Sequence, residues 1–266
     1  MKKILVTGGT VFVSKYTAEY FSNNKEYEVF VLNRNNHTQP DNTTLINLDR
    51  KELGDKLKNY KFDIVLDITS YSKNDVQGIF EAVGGVFQYI FLSSSAVYTE
   101  FNVQPFKENG KLGFNKFWKD YGINKIEAEE YLRSVKPDVY IIRPSYLYGP
   151  QNNVYREAFV FECAEKNRPF YIPKNGEMKL QFFYINDLCR VIEEIIKTNP
   201  IEKIYNVGNE ESVSIKEWVK LCYAVVGNDV IYRNINADIE QRNYFSFYNY
   251  EYKLDITRQK NFLKKQ

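Results

Sequence analysis

The residue pair with the clearest chemical potential lies in Trp118-Lys119-Asp120-Tyr121-Gly122-Ile123-Asn124-Lys125. On a helix, positions i and i+4 share a face, so the Tyr121 phenol and the Lys125 ammonium stand one above the other. A fixed cation beside a phenol favours phenolate, and Tyr121 could then move a proton near neutral pH in a hydride-transfer reaction. The chain has 22 tyrosines, so a chance Tyr-Lys pair is an open alternative until context is added. Upstream, Gln88-Tyr89-Ile90-Phe91-Leu92 reads as a strand ending in Ser93-Ser94-Ser95-Ala96-Val97-Tyr98, which delivers hydroxyls to the same place or simply turns the chain. Other chemistries are excluded early. The single histidine, His37, sits in a polar stretch and reads as a surface residue, which removes Ser-His-Asp hydrolysis and multi-histidine metal sites. Cys163, Cys189 and Cys222 are too few and too scattered for a disulfide framework or a zinc site, and read as buried thiols on helices.

A second constellation is Lys3-Ile4-Leu5-Val6-Thr7-Gly8-Gly9-Thr10-Val11-Phe12-Val13-Ser14, a strand, a glycine turn and a helix. In a dinucleotide site one glycine makes the tight turn, a second lets the backbone approach the pyrophosphate, and a third lets helix pack on strand. Gly8 fills the first role, Val11 stands at the second position and Ser14 at the third. Val11 places a branched side chain near the phosphates, and an ordinary glycine turn is the competing reading. The next strand ends in Leu32-Asn33-Arg34 without an acid for the ribose hydroxyls of NAD(H), while an arginine there pairs with the 2'-phosphate of NADP(H). NADP(H) is therefore weakly favoured over NAD(H), a solvated Arg34 being the alternative.

Short β-branched runs alternate with segments of helical period through the first half: Lys3–Thr7, Phe12–Ser22, Tyr27–Leu32, Thr44–Leu48, Asp63–Asp67, Asn74–Ala82, Gln88–Ser93, Asn124–Ser134 and Val139–Arg143. The expected product is an α/β fold, a Rossmann-like doubly wound parallel sheet spanning residues 1–150, with its ligand crevice at the carboxyl ends of the strands. Helices over Tyr155–Lys166, Ile185–Thr198 and Ser214–Val226, with strands Met178–Phe183 and Lys203–Val207, predict a small substrate-binding lobe over 151–266, interleaved with the core. Near the end, Tyr244, Phe245, Phe247, Tyr248, Tyr250 and Tyr252 crowd together, and packing onto that lobe is the leading expectation, a lid or dimer contact the other. Lys and Arg number 36 against 34 Asp and Glu, so no global field steers the chain to nucleic acid or membrane. The basic end, with Arg258, Lys260, Lys264 and Lys265, reads as solvated. No apolar run has the length of a signal peptide or a membrane span, which predicts a cytoplasmic protein.

Together, Thr7-Gly8-Gly9-Thr10, Ser93 to Tyr98, Tyr121-Gly122-Ile123-Asn124-Lys125 and Arg143-Pro144-Ser145-Tyr146-Leu147-Tyr148-Gly149-Pro150 resemble, in this order and spacing, the extended short-chain dehydrogenase/reductase family of NAD(P)-dependent epimerases and dehydratases. Phe183 to Leu188 and Tyr205 to Glu210 look like its later landmarks. The resemblance implies a catalytic Ser94, with Ser95 the near alternative, Tyr121 as acid/base, and Lys125 holding the nicotinamide ribose while lowering the tyrosine pKa. It also implies cofactor contacts from Thr7, Gly8, Gly9, Thr10, Val11, Phe12 and Val13 at the turn and from Asn33, Arg34, Asp49 and Pro144 along the crevice. Asp49 would sit near the adenine; the alternative is a helix cap. The implied substrate is a sugar nucleotide or similar small metabolite with a hydroxyl/carbonyl centre, and the implied assembly is a homodimer through the helix of Tyr121. Two positions depart from the pattern: Tyr184 replaces a usual histidine, and Val11 is shared with a branch that includes RNA-binding proteins. A non-catalytic dinucleotide sensor or RNA binder on the same fold is thus the rival reading.

Overall fold

The computed structural model describes residues 1–236 and 238–263. Its first half alternates as the periodicity predicts: β1 (Lys2–Thr7), α1 (Phe12–Ser22), β2 (Tyr27–Asn33), β3 (Thr43–Asn47), β4 (Ile64–Asp67), α2 (Lys73–Val83), β5 (Gln88–Leu92), α3 (Asp120–Val135) and β6 (Tyr140–Pro144). The rest comprises β7 (Tyr146–Tyr148), α4 (Glu157–Glu165), β8 (Phe170–Pro173), β9 (Lys179–Leu180), β10 (Phe182–Tyr184), α5 (Ile185–Thr198), β11 (Ile204–Val207), β12 (Val213–Ser214), α6 (Ile215–Val226), β13 (Tyr232–Ile235) and α7 (Thr257–Leu263). One seven-stranded sheet runs in the order β11-β6-β5-β4-β1-β2-β3, every pairing parallel. This is the doubly wound sheet expected, with the chain reversing direction of growth between β1 and β4.

Apolar strands buried on both faces need a helical layer on each. One face of the sheet packs against α1 and α5 through Ala18, Phe21, Leu188, Val191, Ile192 and Ile195. The other packs against α2 and α3 through Val76, Ile79, Val83, Ala128 and Leu132. The start of α2 is fixed by a capping box in which Ser72 and Asp75 satisfy each other's amides, and its end by Gly84 in the left-handed region at φ +67°. A separate apolar cluster builds the C-terminal lobe from α4, α6 and the short strand pairs β7/β10, β8/β13 and β9/β12. Phe245, Phe247 and Tyr252 are buried in it, as the leading expectation for the aromatic tail has it. The chain nevertheless returns to the core after the lobe begins, since α5 and β11 complete the main sheet and its cover.

The expected strand over Met178–Phe183 is instead two short ones, β9 and β10, separated at Gln181, whose side chain binds the Asn209 carbonyl at 2.8 Å. The three cysteines lie buried and unpaired on α4, α5 and α6. Of the basic end, Arg258 pairs with Glu202 at 2.9 Å and Lys260 with Glu210, whereas Lys264 and Lys265 lie outside the described residues. Among the described residues no helix is long and apolar enough to cross a membrane.

Candidate active site

The crevice opens where β1 and β4 end side by side. Thr7, the last residue of β1, donates its hydroxyl to Asp67 Oδ1 at 2.9 Å and accepts the amides of Ile68 and Thr69 at 2.9 and 3.0 Å. Tyr89 donates to the other Asp67 oxygen at 2.7 Å. Burial raises the Asp67 pKa against these stabilising bonds. The Thr7 side chain thus ties two strand ends together beneath the glycine turn rather than pointing at a ligand.

The turn itself is a backbone cradle. Gly8 and Gly9 have φ of +88° and +91°, and a Cβ on Gly9 would lie 2.5 Å from Val31. Val11 is different: its φ of −136° is open to any residue, and its side chain is 40% exposed at the crevice. Glycine is therefore not required there by backbone conformation. Thr10 lines the crevice beside Val11, and Phe12 and Val13 begin α1 on its wall. Asn33 donates to the Gly8 carbonyl at 2.7 Å and so braces the turn from below. A pocket of about 360 Å³ runs from this turn past Asn33, Arg34 and Asp49. Arg34 is largely exposed, 3.9 Å from Asp49. Asp49 accepts the Lys51 amide at 3.0 Å, closing a turn rather than capping a helix. Arg50, which donates to the Thr69 carbonyl, and Lys51 also line this pocket; the sequence reading missed both.

A second pocket of about 590 Å³ continues from Val11 and Ser14 into the space between core and lobe, and Ser94, Tyr121, Lys125 and Pro144 all line it. The three serines separate by role. Ser93 is buried on Glu129 at 2.5 Å, and Ser95 on Tyr252 at 2.9 Å. Ser94, less buried, accepts the Ala96 amide at 3.1 Å and lines the pocket with Tyr121. Tyr98 is buried away from the crevice between Asn206 and Arg143, and Tyr184 does not line it.

One expectation needs correcting. Lys125 is on the same helix face as Tyr121 and lines the pocket, but its Nζ donates to the carbonyls of Ser70 and Leu92, both at 2.7 Å. Burial lowers its pKa to about 8. The Tyr121 phenol is not depressed: desolvation raises it, and the neighbouring Ser94 hydroxyl and Arg156 charge do not offset that. Lys125 is turned to the strand-end carbonyls, and Arg156 is a second cation lining the same pocket. Arg156 and Arg242 were not anticipated, since Arg156 only precedes α4 and Arg242 lies in a single 3-10 turn, neither with a recognisable motif. Trp118, Tyr248 and Tyr252 complete the lobe side of the pocket.

A parallel sheet with a glycine cradle at the reversal point, opening onto a Ser-Tyr-Lys group, matches one family description. Residues 4–208 fit the family model for the NAD dependent epimerase/dehydratase family. The chain belongs to this family. Over 162 residues it is 29% identical to the chloroplast stem-loop binding protein of 41 kDa b of Arabidopsis thaliana, covering 60% of this chain and 42% of that protein. It is 22% identical to the dTDP-D-glucose 4,6-dehydratase of Dictyostelium discoideum, covering 80% of this chain and 60% of that protein. The chain thus spans about half the length of these curated relatives. Among solved structures, the UDP-glucose 4-epimerase of Thermotoga maritima with UDP-glucose superposes with a TM-score of 0.79 at 19% identity, covering 97% of this chain and 91% of that one. The UDP-glucuronic acid 4-epimerase of Bacillus cereus with NAD does so with 0.77 at 17%, covering 99% and 91%. At these identities the likeness is one of fold.

Proposed function

We propose that the protein is an NAD(P)-dependent epimerase or dehydratase acting on a sugar nucleotide, with residues 1–150 holding the dinucleotide and 151–266 shaping the substrate pocket. The observation that carries this is that Ser94, Tyr121 and Lys125 line one pocket, which meets the glycine-cradle pocket at Val11, Ser14 and Thr69. The residues present fit a dinucleotide: the space a Cβ would fill at Gly8 and Gly9 is closed, the start of α1 faces the crevice, and no acid but Asp49 lines the first pocket. A nicotinamide bound there supplies reversible hydride exchange with carbon. Tyr121, held above its ordinary pKa, is protonated at neutral pH and serves as the acid toward a substrate oxygen. Ser94 donates to that same oxygen or to the phenol. Lys125 sits beneath, ready to exchange a carbonyl for ribose hydroxyls.

Two measurements test this. Denaturing the purified protein should release a nicotinamide dinucleotide, or calorimetric titration should detect one binding; no heat with NAD(H) or NADP(H) at millimolar concentration would overturn the enzyme reading. Arg34, Arg50 and Lys51 around the far end of the first pocket support NADP(H) as the better ligand, by roughly 10- to 100-fold, the scale of one charge-assisted hydrogen bond. Arg34→Ala should erase that ratio, and an unchanged ratio would place Arg34 in solvent.

A further inference from the structure

The substrate pocket carries three cations, Lys125, Arg156 and Arg242, and no carboxylate among the described residues that line it. Two of the three are engaged. Lys125 holds two carbonyls, and Arg242, exposed at the rim, donates to the Ser246 carbonyl and lies over the Tyr248 ring. Arg156 is not. Its guanidinium lies 5.2 Å from the ring centres of both Tyr146 and Phe247, and its buried Nε has no hydrogen-bond partner among the described residues. The neighbouring acid, Glu157, is taken up by the Gly149 amide at 3.3 Å and Asn152 Nδ2 at 2.8 Å. Two aromatic faces hold the cation in place but offer the buried Nε no acceptor, and a buried donor without one is costly, while the half-buried side chain turns the rest of its fork to the pocket. Its planar fork is matched by a carboxylate or phosphate, which it binds bidentately.

We propose that Arg156 receives a carboxylate on the sugar ring that Tyr121 acts upon, so that the preferred substrates are nucleotide-linked uronic acids. The proposal rests on the sugar-nucleotide reading above. Position decides for the ring over the diphosphate. Arg156 lines the same pocket as Tyr121, and its guanidinium lies over the Tyr146 ring, whose centre is 5.5 Å from that of Tyr252, the partner of Ser95. An anion seated on it therefore lies on the side of the pocket formed by Tyr146, Tyr252 and the serine turn that carries Ser94.

The test is calorimetric titration of the dinucleotide-loaded protein with UDP, UDP-glucose and UDP-glucuronic acid, which share the nucleotide and differ at the ring substituent. The wild type should bind UDP-glucuronic acid roughly 10- to 100-fold more tightly than UDP-glucose, as a bidentate charge-assisted pair allows. In Arg156→Gln that ratio should collapse toward one, and in Arg156→Lys, which keeps the charge but loses the fork, part of it should return. A ratio near one in the wild type, or a ratio that survives Arg156→Gln in a variant with wild-type circular dichroism, would overturn the proposal. So would equal losses for all three ligands, which would put the anion on the diphosphate. If none of the three binds the wild type, the sugar-nucleotide reading itself has failed, and the proposal falls with it.

Discussion

Tyr121 and Lys125 look like a unit in the sequence and act as two separate groups in the structure. The i, i+4 spacing correctly puts both on the crevice face of α3, but the phenol is raised while the ammonium is drawn down onto two carbonyls. Their variants should differ accordingly. Tyr121→Phe removes one hydroxyl and keeps the ring, so turnover should fall on the order of 10²- to 10⁴-fold while dinucleotide affinity changes little. Lys125→Met leaves the Ser70 and Leu92 carbonyls without their donor and removes the proposed ribose contact, so turnover and dinucleotide affinity should fall together. Steady-state kinetics with calorimetry on both variants separates the two outcomes; an active wild type that loses nothing on Tyr121→Phe would dismiss the assignment. The three serines show why motif reading stops short. Their common position at the end of β5 was legible, but which hydroxyl faces the crevice depends on Glu129 and Tyr252, partners 36 and 157 residues away.

At the scale of elements, the crevice depends on how β1 is fixed to β4. Thr7 does this with one donated and two accepted hydrogen bonds, two of them buried and the one from Thr69 partly so. Thr7→Val keeps the shape and removes all three. The amides of Ile68 and Thr69 then lose their acceptor, and the cost should be about 2 to 4 kcal/mol in urea unfolding, with Thr7→Ser restoring most of it. A change below about 0.5 kcal/mol would show that water takes over the role. The elements that were legible are those with a long period: β1 through β6 and α5 follow the expected bounds to within a few residues because buried apolar runs and amphipathic stripes dictate them. Those that were not include β7, β8, β12 and β13, which are short and each owe their form to a strand distant in sequence, as when Phe170–Pro173 pairs with Tyr232–Ile235, and the short helix α7. Arg156 was invisible for the same reason. Its place is set by Phe247, a residue of the tail, which no local spacing connects to it.

Across the whole molecule, the abundance of tyrosine has a consequence for pH. Burial raises the phenols of Tyr89, Tyr98 and Tyr146, and pushes Tyr252 up to about 12. A group whose folded pKa exceeds its unfolded value stabilises the fold fully below the unfolded pKa and ceases to do so as pH rises through the folded one. For Tyr252 that window runs from about 10 to about 12, and a two-unit shift amounts to about 3 kcal/mol; Tyr89, Tyr98 and Tyr146 are shifted in the same direction. Lys125 has the opposite sign. Its folded pKa of about 8 lies below its ordinary 10.5, so between those values the unfolded chain carries a proton that the folded one has shed, and stability rises with pH. Urea midpoints should therefore hold or increase slightly from about pH 8 to about pH 10 and then drop steeply toward about pH 12. Lys125→Met should abolish the early rise and leave the late fall. Tyrosinate absorbance followed beside circular dichroism provides the check: the buried phenols should ionise together with unfolding, and phenols that all titrate near pH 10 in a still-folded protein would show that the burial of Tyr89, Tyr98, Tyr146 and Tyr252 does not hold them neutral.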